Sequence, residues 1–236
     1  MREKASIREA LEEIREMKAC LFDMDGLIFD TERSFMEQLS VVMGEEGYHL
    51  TREIYCSTLG LSGEELRDKM RGYYGREYPF REMSRRARER LNRVAESVGL
   101  AVKREIPDIL EYLHERKVPC AVASGSRSDL VRKYLEINGL DRYFQAVVGG
   151  EQVSCSKPAP DIFLLAAEEI GTAPEHCVVL EDSENGIRAG RAAGCVTLCV
   201  PDMKMPREEF SQDIDYLVVR EELFFSRTDI NYGILS

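Results

Sequence analysis

Five short apolar runs constrain the fold of this chain more than any other feature: Ala19 to Phe22, Val118 to Ala123, Ala146 to Val148, Cys177 to Leu180 and Val196 to Val200. None alternates polar with apolar residues, so each reads as a strand buried on both faces, the pattern of a parallel sheet. Helical patterns lie between them. Ser128-Asp129 precedes Leu130 to Ile137, which Asn138-Gly139 ends, and Pro160-Asp161 opens a stretch through Ile170 that closes at Gly171. Strands alternating with helices predict an α/β fold with a Rossmann-like parallel sheet. With 236 residues, 44% of them hydrophobic, the chain can bury such a core.

Two stretches break the alternation. Ser6 to Lys18 carries Ile7, Leu11 and Ile14 at helical spacing among charges, which predicts one amphipathic N-terminal helix packed on the domain surface. From about Arg33 to Ala101 the pattern is helical throughout, interrupted at Gly60-Leu61-Ser62-Gly63 and at Gly72 to Pro79, which predicts a helical insert after the first strand. The expected organisation is therefore an N-terminal helix over 1–18, a catalytic core over 19–32 and 102–236, and an inserted helical domain over 33–101. Charge agrees with a separate module. Between Glu64 and Arg104 there are 12 Lys plus Arg against 7 Asp plus Glu, a local +5 that leaves −16 elsewhere. A solvated helix face explains that excess, and so does a basic lid over an anionic substrate.

The net charge of −11 argues against nucleic acid and anionic membranes as partners. No apolar run is long enough to span a bilayer or form a signal segment, so a soluble, cytoplasmic protein is expected. The seven cysteines form no C-x-x-C pair and lie mostly in apolar runs, as small core hydrophobes of a reducing compartment do. The three histidines lie far apart, which gives a zinc cluster little support.

Polar residues gather where the predicted strands end: Asp23-Met24-Asp25-Gly26 after the first run, Ser124-Gly125-Ser126 after the second, Glu181-Asp182-Ser183 after the fourth. In open α/β sheets ligands bind at the carboxyl ends of strands, so three distant segments converge on one crevice. Crowded carboxylates repel one another unless a cation neutralises them, and oxygen donors without His or Cys select a hard ion such as magnesium. Phosphoryl transfer uses this inventory. Asp23 would attack phosphorus, Asp25 would act as acid and then base, and Lys157, Ser124 and the Gly125 amide would hold phosphate oxygens. Taken singly, each piece has an ordinary explanation: a solvated turn, a loop capping the next helix through Ser128 or Asp129, a surface lysine, acids at a helix start. Their joint placement carries the weight.

At these residues the sequence resembles the haloacid dehalogenase superfamily. Asp23-Met24-Asp25-Gly26-Leu27-Ile28-Phe29-Asp30-Thr31-Glu32 resembles its first motif, Ser124 its second, Lys157-Pro158-Ala159-Pro160-Asp161-Ile162-Phe163 its third, and Leu180-Glu181-Asp182-Ser183-Glu184-Asn185-Gly186-Ile187 its fourth. The resemblance implies a Rossmann-like core with a small helical-bundle cap. It also implies Asp23 as nucleophile, Asp25 as acid and base, Ser124 and Lys157 as phosphate ligands, and Asp182, Asp23 and the Asp25 carbonyl as magnesium ligands, with Glu181 helping to hold the ion. Met1 to Lys18 and the tail beyond about Glu221 fall outside it.

Within the superfamily, the carboxylate of Asp25 disfavours dehalogenation, and the absence of lysine from Gly60 to Glu65 rejects phosphonoacetaldehyde hydrolysis. The remaining competitor is a β-phosphoglucomutase. That family carries a cap-loop arginine where this chain has Gly63, and a histidine where it has Phe35, while Thr31-Glu32 resembles the sugar- and polyol-phosphate phosphatases. The expected function is thus hydrolysis of a small phosphorylated metabolite by a monomer or weak homodimer. A mutase, with Arg67 or another cap arginine on the distal phosphate, is the alternative. A binding protein without turnover would have lost Asp23, Asp25, Lys157 or Asp182, and all four are present.

Overall fold

The five apolar runs are strands of one sheet, and the computed structural model, which describes residues 1–61 and 63–219, adds two more. In chain order the elements are β1 (Arg2–Lys4), α1 (Ile7–Glu13), β2 (Ala19–Phe22), α2 (Thr31–Glu45), α3 (Arg52–Cys56), α4 (Gly63–Tyr74), α5 (Phe80–Val98) and α6 (Ile106–Glu115). Then follow β3 (Cys120–Ser124), α7 (Ser128–Ile137), β4 (Ala146–Gly149), α8 (Asp161–Glu169), β5 (Cys177–Glu181), α9 (Glu184–Ala192), β6 (Val196–Cys199) and β7 (Tyr216–Val218). The strand order is β1-β7-β6-β5-β2-β3-β4, with every pairing parallel. β2 and β5 are buried throughout, which accounts for their unbroken apolar sequence. One apolar cluster fills the face carrying Phe22, Ile106 and Leu180, and a second fills the face carrying Leu21, Phe163 and Val179.

The N-terminal segment corrects the sequence reading. The helix covers Ile7–Glu13 alone: the Ser6 hydroxyl caps it by accepting from the Glu9 amide at 3.2 Å, and Ile14 leaves it in extended backbone. It ends early because the chain must turn into β2, and Ile14 and Met17 pack on the main core in doing so. Ile7, Ala10 and Leu11 are buried in that same core. Ahead of the helix, Arg2–Lys4 forms an edge strand in register with Tyr216–Val218.

Helices α2 to α5 are inserted between β2 and β3, and they bury an apolar cluster of their own. Leu39, Val42 and Met43 of α2 meet Met83 and Ala87 of α5, with Tyr55, Met70 and Tyr78 filling the remainder. Burial of each large side chain there contributes about 1.5–3 kcal/mol. The interruption expected from Gly72 falls later, at Gly75 (φ +94°), because Gly72 continues α4. Ser62 and the tail beyond Val219 lie outside the described residues. The two connections into the insert run side by side: the Asp30 amide donates to Ala101 O at 2.8 Å, the Lys103 amide to Ile28 O at 2.9 Å, and Phe29 bridges Val102. Among the described residues no helix is long and apolar enough to cross a membrane. Five of the seven cysteines are buried, as their apolar surroundings predicted, while Cys155 is exposed.

Candidate active site

The chain leaves β2 toward β3 on one side and later places β5 on the other, so the carboxyl end of β2 is the switch point of the sheet. Asp23 follows β2 directly, Glu181 is the last residue of β5 with Asp182 beyond it, and Ser124 is the last residue of β3. Asp23 and Glu181 are 6% and 1% exposed and Ser124 is fully buried, so these polar groups have been taken out of water. Two glycines make room for them. A Cβ at Gly26, where φ is +78°, would collide with the Asp182 carboxylate, and one at Gly186 would overlap the carboxylate of Glu181.

Lys157 joins the three segments. Its ammonium donates to Asp23 Oδ1 at 2.5 Å, to Glu181 Oε1 at 2.8 Å and to the carbonyl of Ala123, one residue before Ser124, at 3.1 Å. Glu181 accepts from the Ser183 amide through its other oxygen at 2.7 Å, so its direction is fixed from both sides. Asp25 Oδ2 accepts from the Ser126 hydroxyl at 3.1 Å. The Ser124 hydroxyl oxygen accepts from the Ser126 amide at 3.1 Å and keeps its proton for another acceptor. Gly125 borders open space, with nothing within 4 Å of where a Cβ would stand.

The electrostatics are those of too many acids for one base. Burial pushes the Asp23 carboxyl up to about 8, Lys157 pulls against this, and the charges of Glu181 and Asp25 add to it. Burial likewise raises Asp182, helped by Glu181 and Asp23. Asp25 is raised by burial against hydrogen bonds from Thr31 and Ser126. Burial works to lower Lys157, but the carboxylates of Asp23 and Glu181 outweigh it and hold the ammonium above the usual lysine range.

A divalent cation fits this deficit. One oxygen each from Asp23, Glu181 and Asp182 lie within 4.8 Å of one another, an all-oxygen set of the kind hard ions take. Glu181 already serves Lys157 and the Ser183 amide, which leaves Asp23 and Asp182 as the freer donors.

All seven residues singled out in the sequence, Asp23, Asp25, Ser124, Gly125, Lys157, Glu181 and Asp182, thus lie at one sheet edge. Others went unnoticed there. Ser126 and Thr31 hold Asp25, and the position of each inside an already suspected motif was the available signal. The Tyr55 hydroxyl donates to Glu32 Oε2 at 2.7 Å. From the insert, Arg88 stacks over the Phe35 ring at 5.4 Å, and its charge is felt at Asp25 and Glu32. Arg67, the cap arginine named from the sequence, is instead occupied by Glu64 and Asp68.

A doubly wound sheet with an acidic, lysine-bridged crevice at its switch point and a helical insert above it defines a class of α/β hydrolases. Residues 20–200 match the model of the haloacid dehalogenase-like hydrolases, and the chain belongs to that family. It is 32% identical over 204 residues to a probable pseudouridine-5'-phosphatase of Drosophila melanogaster, covering 84% of this chain and 87% of that one. The fructose-1-phosphate phosphatase of Escherichia coli (strain K12) is 36% identical over 176 residues, covering 74% and 91%. Among solved structures, CbbY of Rhodobacter sphaeroides in complex with phosphate has a TM-score of 0.65 at 27% identity, covering 85% and 93%.

Proposed function

We propose that this protein is a magnesium-dependent phosphatase that hydrolyses a small sugar or polyol phosphate through an aspartyl-phosphate on Asp23. The observation that carries this reading is the convergence of Asp23, Asp25, Lys157, Glu181 and Asp182 on one crevice, with Lys157 bonded to both Asp23 and Glu181. The phosphatase names of the relatives support the reaction class.

Asp23 Oδ attacks phosphorus, the bond from phosphorus to the substrate oxygen breaks, and Asp25 gives its proton to the departing alkoxide. A water then attacks the phosphorus of the acyl phosphate, Asp25 takes its proton, and inorganic phosphate leaves with Asp23 regenerated. A carboxyl raised by burial, as Asp25 is, suits a group that must carry a proton near neutrality. Lys157 balances charge on Asp23 and on the phosphate, while the Ser124 hydroxyl and the Gly125 amide hold equatorial oxygens. Asp23, Asp182, Glu181 and the Asp25 carbonyl would hold magnesium, which when bound neutralises nucleophile and dianion together. Residues 33–101 act as a cap that hinges at the paired connections near Asp30 and Lys103 and shuts water out during the first step. The partner is a small phosphorylated metabolite met in the cytoplasm by a monomer or weak homodimer.

The test is phosphate release from a panel of phosphomonoesters with and without magnesium; a flat panel would sink the reading. One observation favours a second reading, a β-phosphoglucomutase: Arg88 is a cap cation that stands near Asp25 and makes no ion pair among the described residues. Incubation of β-glucose 1-phosphate with a trace of glucose 1,6-bisphosphate separates the two. A mutase yields glucose 6-phosphate, and a phosphatase yields inorganic phosphate or leaves this substrate alone.

A further inference from the structure

The loop after β6 is fixed to the active-site end of the sheet at both of its ends. The Val200 amide donates to Glu181 O at 2.7 Å. At the other end, Arg207 donates to the Glu184 carboxylate at the start of α9, from its amide at 2.9 Å and from its guanidinium at 2.7 Å. Pro201 is buried and Pro206 fixes a second φ, so little freedom is left between.

Two residues of this loop reach the insert, one by charge and one by packing. Asp202 Oδ1 accepts from the Lys103 ammonium, which also donates to Asp30 Oδ1 at 2.9 Å, while Arg33 Nε approaches Asp30 Oδ2 at 3.1 Å. Charges thus alternate along Arg33, Asp30, Lys103 and Asp202, and the inner pair is sheltered, with side chains 13% exposed at Lys103 and 5% at Asp202. Asp30 lies on the first connection into the insert and Lys103 on the second, so one ammonium ties both connections to the core. Met203 packs against the apolar cluster inside the insert, whose other members among the described residues all lie between Phe35 and Ala87. Its flexible thioether suits a contact that forms and parts. The insert and the loop meet beside the metal-binding acids, since Leu59, Gly60, Met203 and Asp182 line one cavity of about 190 Å³.

The strength of this contact is limited. Removing one partner of a sheltered ion pair is costly, because the other is left uncompensated. Yet Asp202 Oδ2 is buried with no hydrogen-bond partner, which subtracts from the gain of seating, since water satisfies it once the insert and the loop part. Such a contact holds without locking, as a cap that opens on every turnover requires.

We propose that Asp202 and Met203 form a seat for the insert, and that Lys103 is a positioning residue which, by gripping Asp30 and Asp202 together, holds residues 33–101 over the crevice. This rests on the cap reading given above and deepens it: the hinge is tied to a core loop that hangs on the Glu181 backbone, so the insert is registered against the strand that ends in the crevice.

The experiment uses the full-length protein without substrate, so it does not depend on the reaction. Hydrogen exchange is followed at the amides of Asp30 and Lys103, which bond across the two connections, in the natural protein, Asp202→Asn, Lys103→Gln and the double variant. Either single substitution should speed exchange at those amides about tenfold or more, while amides within β5 and α8 stay within about twofold. The double variant should exchange no faster than the faster single one, because both substitutions break the same contact. Equal acceleration through the whole chain would overturn the proposal, since it would make the pair a contributor to global stability alone. Hinge amides that exchange as in the natural protein would overturn it too, and single effects that add in the double variant would reject the pairing. Should the charge variants not fold, Met203→Ala decides, because it leaves no buried charge unpaired. It should speed the same two amides about threefold, and unchanged exchange there rejects the seat.

With magnesium and the best phosphomonoester, the single variants should raise KM about tenfold and leave kcat within about threefold, since substrate then meets the seated form less often. Loosened hinge amides with an unchanged KM would overturn the positioning role. If no phosphomonoester is cleaved, the phosphatase reading fails by itself, and the exchange measurement still decides whether the seat exists.

Discussion

Lys157 Nζ stands 2.5 Å from Asp23 Oδ1, across 134 residues of sequence, and it is the ammonium that holds the buried Asp23 and Glu181 carboxylates together. Removing one partner of a buried charge group leaves the others uncompensated, at about 3–5 kcal/mol. Lys157→Ala should therefore lower the urea midpoint of the metal-free protein markedly and abolish turnover. An unfolding free energy within about 0.5 kcal/mol of the natural protein's would show that the acids do not depend on Lys157.

The raised carboxyls make stability depend on pH in a definite direction. Asp23 has an ordinary value near 3.8 and is raised to about 8 in the folded protein, so between those limits the folded state holds more protons than the unfolded one. Stability then falls as pH rises through that window. In EDTA the melting temperature should be lower at pH 8 than at pH 6 by several degrees, and excess magnesium should shrink that difference, because a bound cation replaces the proton. Asp182→Asn should flatten the EDTA profile. A metal-free protein more stable at pH 8 than at pH 6 would contradict the charge deficit.

Gly186 gives a packing test. An alanine there must displace the Glu181 carboxylate from Lys157, whereas Gly72, inside α4, has nothing within 4 Å of its would-be Cβ. Gly186→Ala should cost about 1–3 kcal/mol and weaken magnesium binding. Gly72→Ala should raise stability by about 0.5–1 kcal/mol. Titration calorimetry and thermal melts check both, and an unperturbed Gly186→Ala would mean that Glu181 has another place to go.

Arg88 offers the cap's charge to the crevice. If it gathers the anionic substrate without acting in the chemical step, Arg88→Gln should raise KM about tenfold and leave kcat within about threefold. A fall in kcat at constant KM would place Arg88 in the transition state instead.

How much of this was readable depends on where each signal is stored. Strands such as Cys177–Glu181 announced themselves because burial on both faces excludes polar residues, and Asp23, Glu181 and Asp182 followed as the polar residues at their ends. Arg2–Lys4 and Tyr216–Val218 did not, since three-residue strands carry no periodicity and exist here by pairing, Tyr216–Val218 on β6 and Arg2–Lys4 on Tyr216–Val218. The N-terminal helix was overextended because Ile14 keeps helical spacing while its backbone has already turned toward β2. Lys103 and Asp202 left no trace, as a contact between residues 99 apart cannot be seen in either neighbourhood. Arg67 and Arg88 are alike in sequence, and only packing separates the one occupied by Glu64 and Asp68 from the one laid over Phe35.

The role of Asp23 as nucleophile is tested by phosphate release from the best phosphomonoester of the panel, with magnesium, by the natural protein and by Asp23→Asn. Turnover by the natural protein, and none above background by an Asp23→Asn protein whose circular dichroism is native, is the expected result. Sustained release of phosphate by a folded Asp23→Asn protein would contradict it.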